Sequence, residues 1–366
     1  MAPAPRTALI LSPRFWEFDY GPGHPLRTAR LRLTAERCRA LGLLARPETA
    51  ILPPREATEE ELAVFHDPAY LDVLRHAEDL AEPERLLAHG LGTGDNPVFP
   101  GVYDWARLYT GGSLVAMEAV DRGEVTCAFN IAGGLHHAMP ARASGFCYVN
   151  DAAVVIRLLA ARGRRVAYVD IDAHHGDGVQ AAFYDTDQVL TISLHETGET
   201  LFPGTGRVEE TGRGRGEGYA VNCPLAPGTD DAVFLWAFEA VVPPLLRAFG
   251  ADVLVAQLGI DTHRNDPLTH MALTIHGFAQ AVRRLRDLAP AWIALGGGGY
   301  HPETVARGWT VAWALMNHQE PPAGIAEPPD PAVQAPERHH AWRYAREQVR
   351  RLQDRVFPQH GLVPAA

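Results

Sequence analysis

Six short runs, Thr7–Leu11, Thr126–Ile131, Val166–Ile171, Val189–Leu194, Val253–Leu258 and Trp292–Leu295, are rich in β-branched and apolar residues, several of them on both faces. A strand apolar on both faces must be covered on both sides, which is the situation inside a parallel sheet flanked by helices. The stretches between them have helical periodicity. Asp151–Ala161 opens on an N-cap-type residue and carries Val154, Val155, Leu158 and Leu159 on one face. Asp231–Phe249, Ile275–Leu288 and Thr304–Met316 read the same way. This alternation predicts one α/β domain built on a parallel sheet, with any site at the carboxyl ends of its strands.

The pattern runs to about residue 320, so residues 1–320 are expected to form a single domain although the length of 366 would also allow two. Residues 321–366 differ. Pro321–Pro336 is rich in Pro and Ala and reads as a linker or extended wrap. After it, Trp342, Ala345, Val349, Leu352 and Val356 recur at spacings of three and four, an apolar helix stripe expected to dock on the chain's own core or on another subunit.

Composition excludes several chemistries. All 33 basic residues are arginine, so there is no lysine for a P-loop, a pyridoxal Schiff base or a kinase phosphate grip. Against 44 acidic residues the formal charge is 33 − 44 = −11, which argues against nucleic-acid binding and favours a basic partner. No run of 18 apolar residues suggests a membrane span, and the start lacks the pattern of a secretory signal. Cys38, Cys127, Cys147 and Cys223 are scattered without a CxxC pair, so a reducing cytoplasm is expected.

The densest polar cluster ends a strand: Asp170-Ile171-Asp172-Ala173-His174-His175-Gly176-Asp177. Buried carboxylates cost several kcal/mol each without partners, and a metal ion is such a partner. A capped helix start is the competing account, since Asp and Gly both favour one. Gly133-Gly134-Leu135-His136-His137, Gln257-Leu258-Gly259-Ile260-Asp261 and Gly296-Gly297-Gly298-Gly299-Tyr300 stand at three other strand ends. Two carboxylates and an imidazole make an open metal site, with adjacent histidines and a tyrosine beside it. That set suits metal-assisted amide hydrolysis: a polarised carbonyl, a histidine as base and acid, and a tyrosine donating to the oxyanion.

From about Asp19 to Trp309 the chain resembles the zinc-dependent histone deacetylase family, and within it the bacterial acetoin-utilisation (AcuC-like) deacetylases. The motifs are Tyr20-Gly21-Pro22-Gly23-His24-Pro25, GGLHHA at 133–138, GFCYVND at 145–151, DIDAHHGDGV at 170–179, LFPGTG at 201–206, Asp261 with Asp266-Pro267-Leu268, and GGGGY at 296–300. The resemblance implies an arginase–deacetylase α/β fold with a mostly parallel sheet of about eight strands. It implies an amidohydrolase that removes acetyl groups from protein lysines, acetyl-CoA synthetase being the expected target. It implies zinc on Asp172, His174 and Asp261, a ligand set that also suits Fe(II) or Co(II). His137 would be general base and acid, His136 its electrostatic companion, and Asp177 and Asp170 their respective orienting carboxylates. Tyr300 would polarise the carbonyl. Gly145, Phe146, Phe202 and Leu268 would line the acyl-lysine tunnel, Asp95 would hold the substrate backbone, and Arg30 would belong to an acetate channel. Potassium would bind at Asp170, Asp172, His174, Ser193 and Leu194, and again at Phe183, Thr186, Val189 and Tyr219. The chain departs from the eukaryotic pattern at Thr262-His263-Arg264-Asn265 and at Thr269-His270, both near the tunnel mouth.

Other readings leave specific marks. A dimanganese ureohydrolase needs Asp-x-His-x-Asp, where this chain has Gly176, and a second Asp-x-Asp, where it has Asp261-Thr262-His263. An acetylpolyamine amidohydrolase, the main alternative, would favour an acid near the tunnel where Leu268 stands. A non-catalytic acyl-lysine binder would carry a broken catalytic set, and none is broken here.

Overall fold

The computed structural model describes residues 6–321, 324–325 and 335–364, so most of the expected linker, 322–323 and 326–334, lies outside the described residues. Its strands are β1 (Thr7–Ile10), β2 (Thr49–Leu52), β3 (Cys127–Asn130), β4 (Val166–Asp170), β5 (Val189–Glu196), β6 (Ala220–Leu225), β7 (Val253–Gln257) and β8 (Trp292–Leu295). They form one sheet in the order β2-β1-β3-β8-β7-β4-β5-β6, and every pairing is parallel. The six apolar runs are all strands, ending within two residues of their expected limits.

Periodicity did not reveal the two outermost strands. β2 is half-exposed along its length, so it lacks the doubly apolar signature of the interior. β6 carries Asn222 and Pro224. Proline has no N–H to donate and is tolerated at an edge, where one side of the ladder is unpaired. The C-terminal helix Ala335–Val356 covers this edge and also packs on the helix Asp231–Phe249. Its Ala345, Val349, Leu352 and Val356 are buried, and Trp342 stacks on Trp236 with ring centroids 5.6 Å apart. Burial of a Val or Leu side chain contributes about 1.5–3 kcal/mol, so this stripe has ample energy to hold the helix on the domain.

The helix Asp231–Phe249 is long and apolar enough for a membrane crossing, but Phe234, Ala237, Phe238, Val241 and Leu245 are buried, and the helix packs on β4 and β5. Asp230 caps it by accepting from Val233 N, and Gly250 ends it in the left-handed region. The cap of Asp151–Ala161 is a correction to the sequence reading. Asn150, not Asp151, accepts from Ala153 N. Asp151 is the first helical residue, and its side chain turns into the site described next.

Candidate metal centre and acid–base site

The loops after β4 and β7 meet over neighbouring strands, because β7 pairs directly with β4. Asp261 therefore reaches Asp172 and His174 across a large sequence gap. His174 Nδ1 lies 2.8 Å from Asp261 Oδ2 and 3.1 Å from Asp172 Oδ1. One ligand atom from each of the three lies within 4.8 Å of the others. The main chain fixes both carboxylates: Ala173 N donates to Asp261 Oδ1 (2.7 Å), His174 N to Asp172 Oδ1 (3.0 Å), and Gly298 N to Asp172 Oδ2 (2.7 Å). Gly298 has to be glycine, because a Cβ there would sit 2.2 Å from Asp261 Oδ2.

All three side chains are removed from water. Burial, and then the charge of Asp172, lift Asp261 to about 8. Burial opposes a charged His174, but Asp261 and Asp172 outweigh it and hold its pKa well above the usual value. Two buried carboxylates around one imidazole require positive charge, and three converging donors of mixed N and O type fit one divalent ion.

The loop after β3 brings in the histidine pair. His136 Nδ1 is 2.7 Å from Asp170 Oδ2, and His137 Nδ1 is 2.7 Å from Asp177 Oδ1. With both Nδ1 atoms turned to carboxylates, the two Nε2 atoms face each other at 3.0 Å. Both imidazoles are then donors at Nδ1, and only a single shared proton satisfies the Nε2 contact. Burial pushes His136 down, but Asp170 and Asp172 outweigh it and raise it to about 9. Burial, reinforced by His136, lowers His137 to about 4. His136 thus keeps the extra proton and His137 stays neutral. Tyr300 closes the site. Burial, then Asp261 and Asp172, raise its hydroxyl pKa far above the ordinary value, so it is a proton donor rather than a phenolate. His137 and Tyr300 both stand edge-on to the His174 ring, at 5.8 and 6.2 Å between centroids.

Three of the expected tunnel residues, Gly145, Phe146 and Phe202, lie against the side chains of this centre. Phe146 packs edge-to-face on Tyr300 at 5.6 Å, and Phe202 on His137 at 5.0 Å. Gly145 lies between them with φ +51°, and a Cβ on it would come within 2.6 Å of His137 Cδ2 and 2.8 Å of Phe202 Cε1. Phe202 is 44% exposed, as suits a lip rather than a core ring. Leu268 is half-buried, its N–H bound to Asp266 Oδ1 at 3.0 Å. Asp95 is exposed, and its main-chain oxygen meets His24 Nε2 at 3.2 Å. Arg30 is buried, donates to Gly299 O (2.8 Å) and lies over the Trp309 ring. Of the first potassium set, Asp170 and Ser193 are register partners across β4 and β5. Of the second, Thr186 N donates to Phe183 O, while Tyr219 O accepts from Thr191 N two residues beyond Val189.

Three supporting residues were not singled out from the sequence. Asp151 accepts from Gly134 N, Leu135 N and Ser113 Oγ, and so shapes the loop that presents both histidines. Gln257 Nε2 donates to Asp172 Oδ2 at 2.6 Å. Tyr168 donates to Asp170 Oδ2 at 2.5 Å. A buried polar residue at or near the carboxyl end of a strand was the available signal for Gln257 and Tyr168; for Asp151, its resemblance to a helix cap hid it.

A profile of the histone deacetylase domain matches residues 24–316. The chain is 40% identical over 334 residues to the acetoin utilization protein AcuC of Bacillus subtilis, covering 88% of this chain and 86% of that one. It is 42% identical over 295 residues to histone deacetylase B of Dictyostelium discoideum, covering 80% of this chain and 69% of the other. The crystal structure of an HDAC homolog from Aquifex aeolicus has a TM-score of 0.85 and 33% identity, over 93% of this chain and 100% of that one. The structure of an HDAC homolog complexed with SAHA gives the same TM-score.

Proposed function

The chain belongs to the histone deacetylase family of amide hydrolases, and on that premise we propose that it removes acetyl groups from Nε-acetyl-lysine in proteins, with zinc as the catalytic ion. The observation that carries this reading is the His174 imidazole with a neutral histidine and a phenol donor both edge-on to it.

Asp172, His174 and Asp261 would hold the ion, with Fe(II) or Co(II) as the alternatives the donor set admits. When bound, it supplies a Lewis acid for the carbonyl and a lowered pKa for the attacking water. His137, neutral and oriented by Asp177, takes one proton from that water as the oxygen attacks the amide carbon. Tyr300 donates to the oxyanion that forms. The histidine pair, now carrying that proton, returns it to the lysine nitrogen as the C–N bond breaks, so amide and water become acetate and amine. Phe146, Phe202, Gly145 and Leu268 grip the aliphatic stem and keep bulk water out. Asp95 takes the substrate backbone at the rim, and Arg30 lies on the acetate exit. Potassium at Asp170, Asp172, His174, Ser193 and Leu194, and at Phe183, Thr186, Val189 and Tyr219, would brace the β4 and β5 loops. The net charge of −11 suits a basic protein surface rather than nucleic acid. As substrate we propose a metabolic enzyme of the cytoplasm, acetyl-CoA synthetase first.

Acetate release from an acetyl-lysine peptide and from acetylspermidine, measured on protein purified without added metal and again after chelation and re-addition of Zn(II), Fe(II) or Co(II), tests the proposal. Activity on the peptide that disappears with the metal and returns with it is expected. Faster turnover of acetylspermidine would transfer the reading to polyamine deacetylation, and full activity after chelation would remove the metal from the reaction.

A further inference from the structure

At the mouth of the site, the loop after β5 and the loop after β7 are tied together by one buried carboxylate. Glu196, the last residue of β5, has a side chain with 0% exposure. Its Oε1 accepts from Thr200 Oγ1 (2.8 Å), in the loop that carries Phe202. The same oxygen lies 2.8 Å from His270 Nδ1, and Oε2 accepts from His270 N at 2.8 Å. His270 stands two residues beyond Leu268, in a loop also anchored through Thr269 Oγ1 to Asp261 O. The other end of the bracket is held too: Glu196 N donates to Ala173 O (2.9 Å), inside the turn that presents Asp172 and His174.

This makes Glu196 the common acceptor for the two lips of the tunnel, Phe202 on one and Leu268 on the other. A buried carboxylate is costly unless its lone pairs are filled, so the three donors are held firmly in place. The His270 side chain is 60% exposed, and burial does not account for its fixed orientation. Its Nδ1 is committed inward to Glu196.

We propose that Glu196 and His270 are positioning residues that set the separation of Phe202 and Leu268, and thereby the grip on the substrate's lysine stem. The inference rests on the reading of those two side chains as tunnel walls. The Glu196 carboxylate and the His270 ring bond to Thr200 and to each other and not to the Asp172, His174, Asp261, His137 or Tyr300 side chains, so loosening these bonds acts first on the lips and on substrate binding, ahead of the chemical step.

The test compares wild type with His270→Ala, His270→Asn, His270→Gln and Glu196→Gln, using an acetyl-lysine peptide and reading kcat and KM separately. The bond acts on substrate only through the lip it holds, so only part of its strength reaches binding, and about a fivefold to tenfold rise in KM is expected for His270→Ala, with kcat within twofold. Asparagine places its Nδ2 where the histidine has Nδ1, so His270→Asn should restore KM, whereas His270→Gln, whose amide nitrogen matches Nε2, should not. Glu196→Gln should raise KM in the same direction without needing a cavity. Rescue by glutamine and not asparagine would mean that His270 touches substrate through Nε2, and would overturn the bracket; so would an unchanged KM in both His270→Ala and Glu196→Gln, or a fall confined to kcat. Inactivity of the wild type on every acyl-lysine substrate would instead count against the proposed function itself.

Discussion

Asp177→Asn tests the acid–base assignment most directly. The carboxylate accepts from His137 Nδ1 at 2.7 Å and from Gly178 N at 3.0 Å, and the amide has nearly the same shape, so the fold should survive. What changes is charge. In the transition state His137 becomes an imidazolium, and at about 4 Å between charge centres a carboxylate stabilises it by about 4 kcal/mol at an effective dielectric constant of about 20. By transition-state arithmetic this is about a 1000-fold loss in kcat. The amide also no longer selects the Nδ1–H tautomer, which adds to the loss. KM should change little, because Asp177 lies behind His137 and does not line the tunnel. The assay is steady-state acetate release from an acetyl-lysine peptide, with circular dichroism and a thermal melt as controls for folding. A folded variant that keeps kcat within threefold of wild type would refute the assignment of His137 and Asp177 as the proton-transfer pair.

Three further outcomes are expected. Burial holds His66 at about 4 and His195 at about 3, both neutral in the fold, whereas the unfolded chain binds protons below about 6.5. Their contribution is therefore complete above pH 6.5 and lost as pH falls, by about 2 kcal/mol each at pH 5; because His136, raised to about 9, changes in the opposite sense, urea denaturation at pH 7.5 and 5 should compare wild type with His66→Gln, and an equal loss in the two proteins would count against it. Asp151→Asn keeps an acceptor for Leu135 N but sets an NH2 donor where Oδ2 accepts from Gly134 N and Ser113 Oγ, which should cost about 1–3 kcal/mol in urea denaturation and lower kcat through the displaced histidine loop. Gly145→Ala forces a Cβ against His137 and Phe202 at a positive φ, so kcat/KM should drop about 100-fold, with about 1–2 kcal/mol of lost stability; near-normal activity would show that the loop shifts freely.

Local pattern was enough to read the sheet interior, four of the helices that cover it and the C-terminal stripe, because burial on both faces or on one face writes itself into the residue order. The same logic marked Asp172, His174, His136, His137, Asp261 and Tyr300, since polar residues at apolar strand ends demand a partner. The rim strands escaped it: β2 is half-exposed and β6 is interrupted by Asn222 and Pro224, so neither needs an unbroken apolar run. Asp151 was legible only as a cap, and its role as the acceptor behind the histidine loop depends on where the helix Asp151–Ala161 lands relative to Gly134. Which carboxylate faces which imidazole was likewise decided by tertiary structure, since the strand order sets β7 beside β4 and brings Asp261 within 2.8 Å of His174. Glu196 and His270 are the sharpest case. Nothing in their sequence neighbourhoods links them, and they meet only because the loops following β5 and β7 cross at the same end of the sheet. The kinds of side chain needed for the chemistry are a property of the sequence; their pairing is a property of the sheet, because long-range contacts are fixed by strand order and not by spacing along the chain.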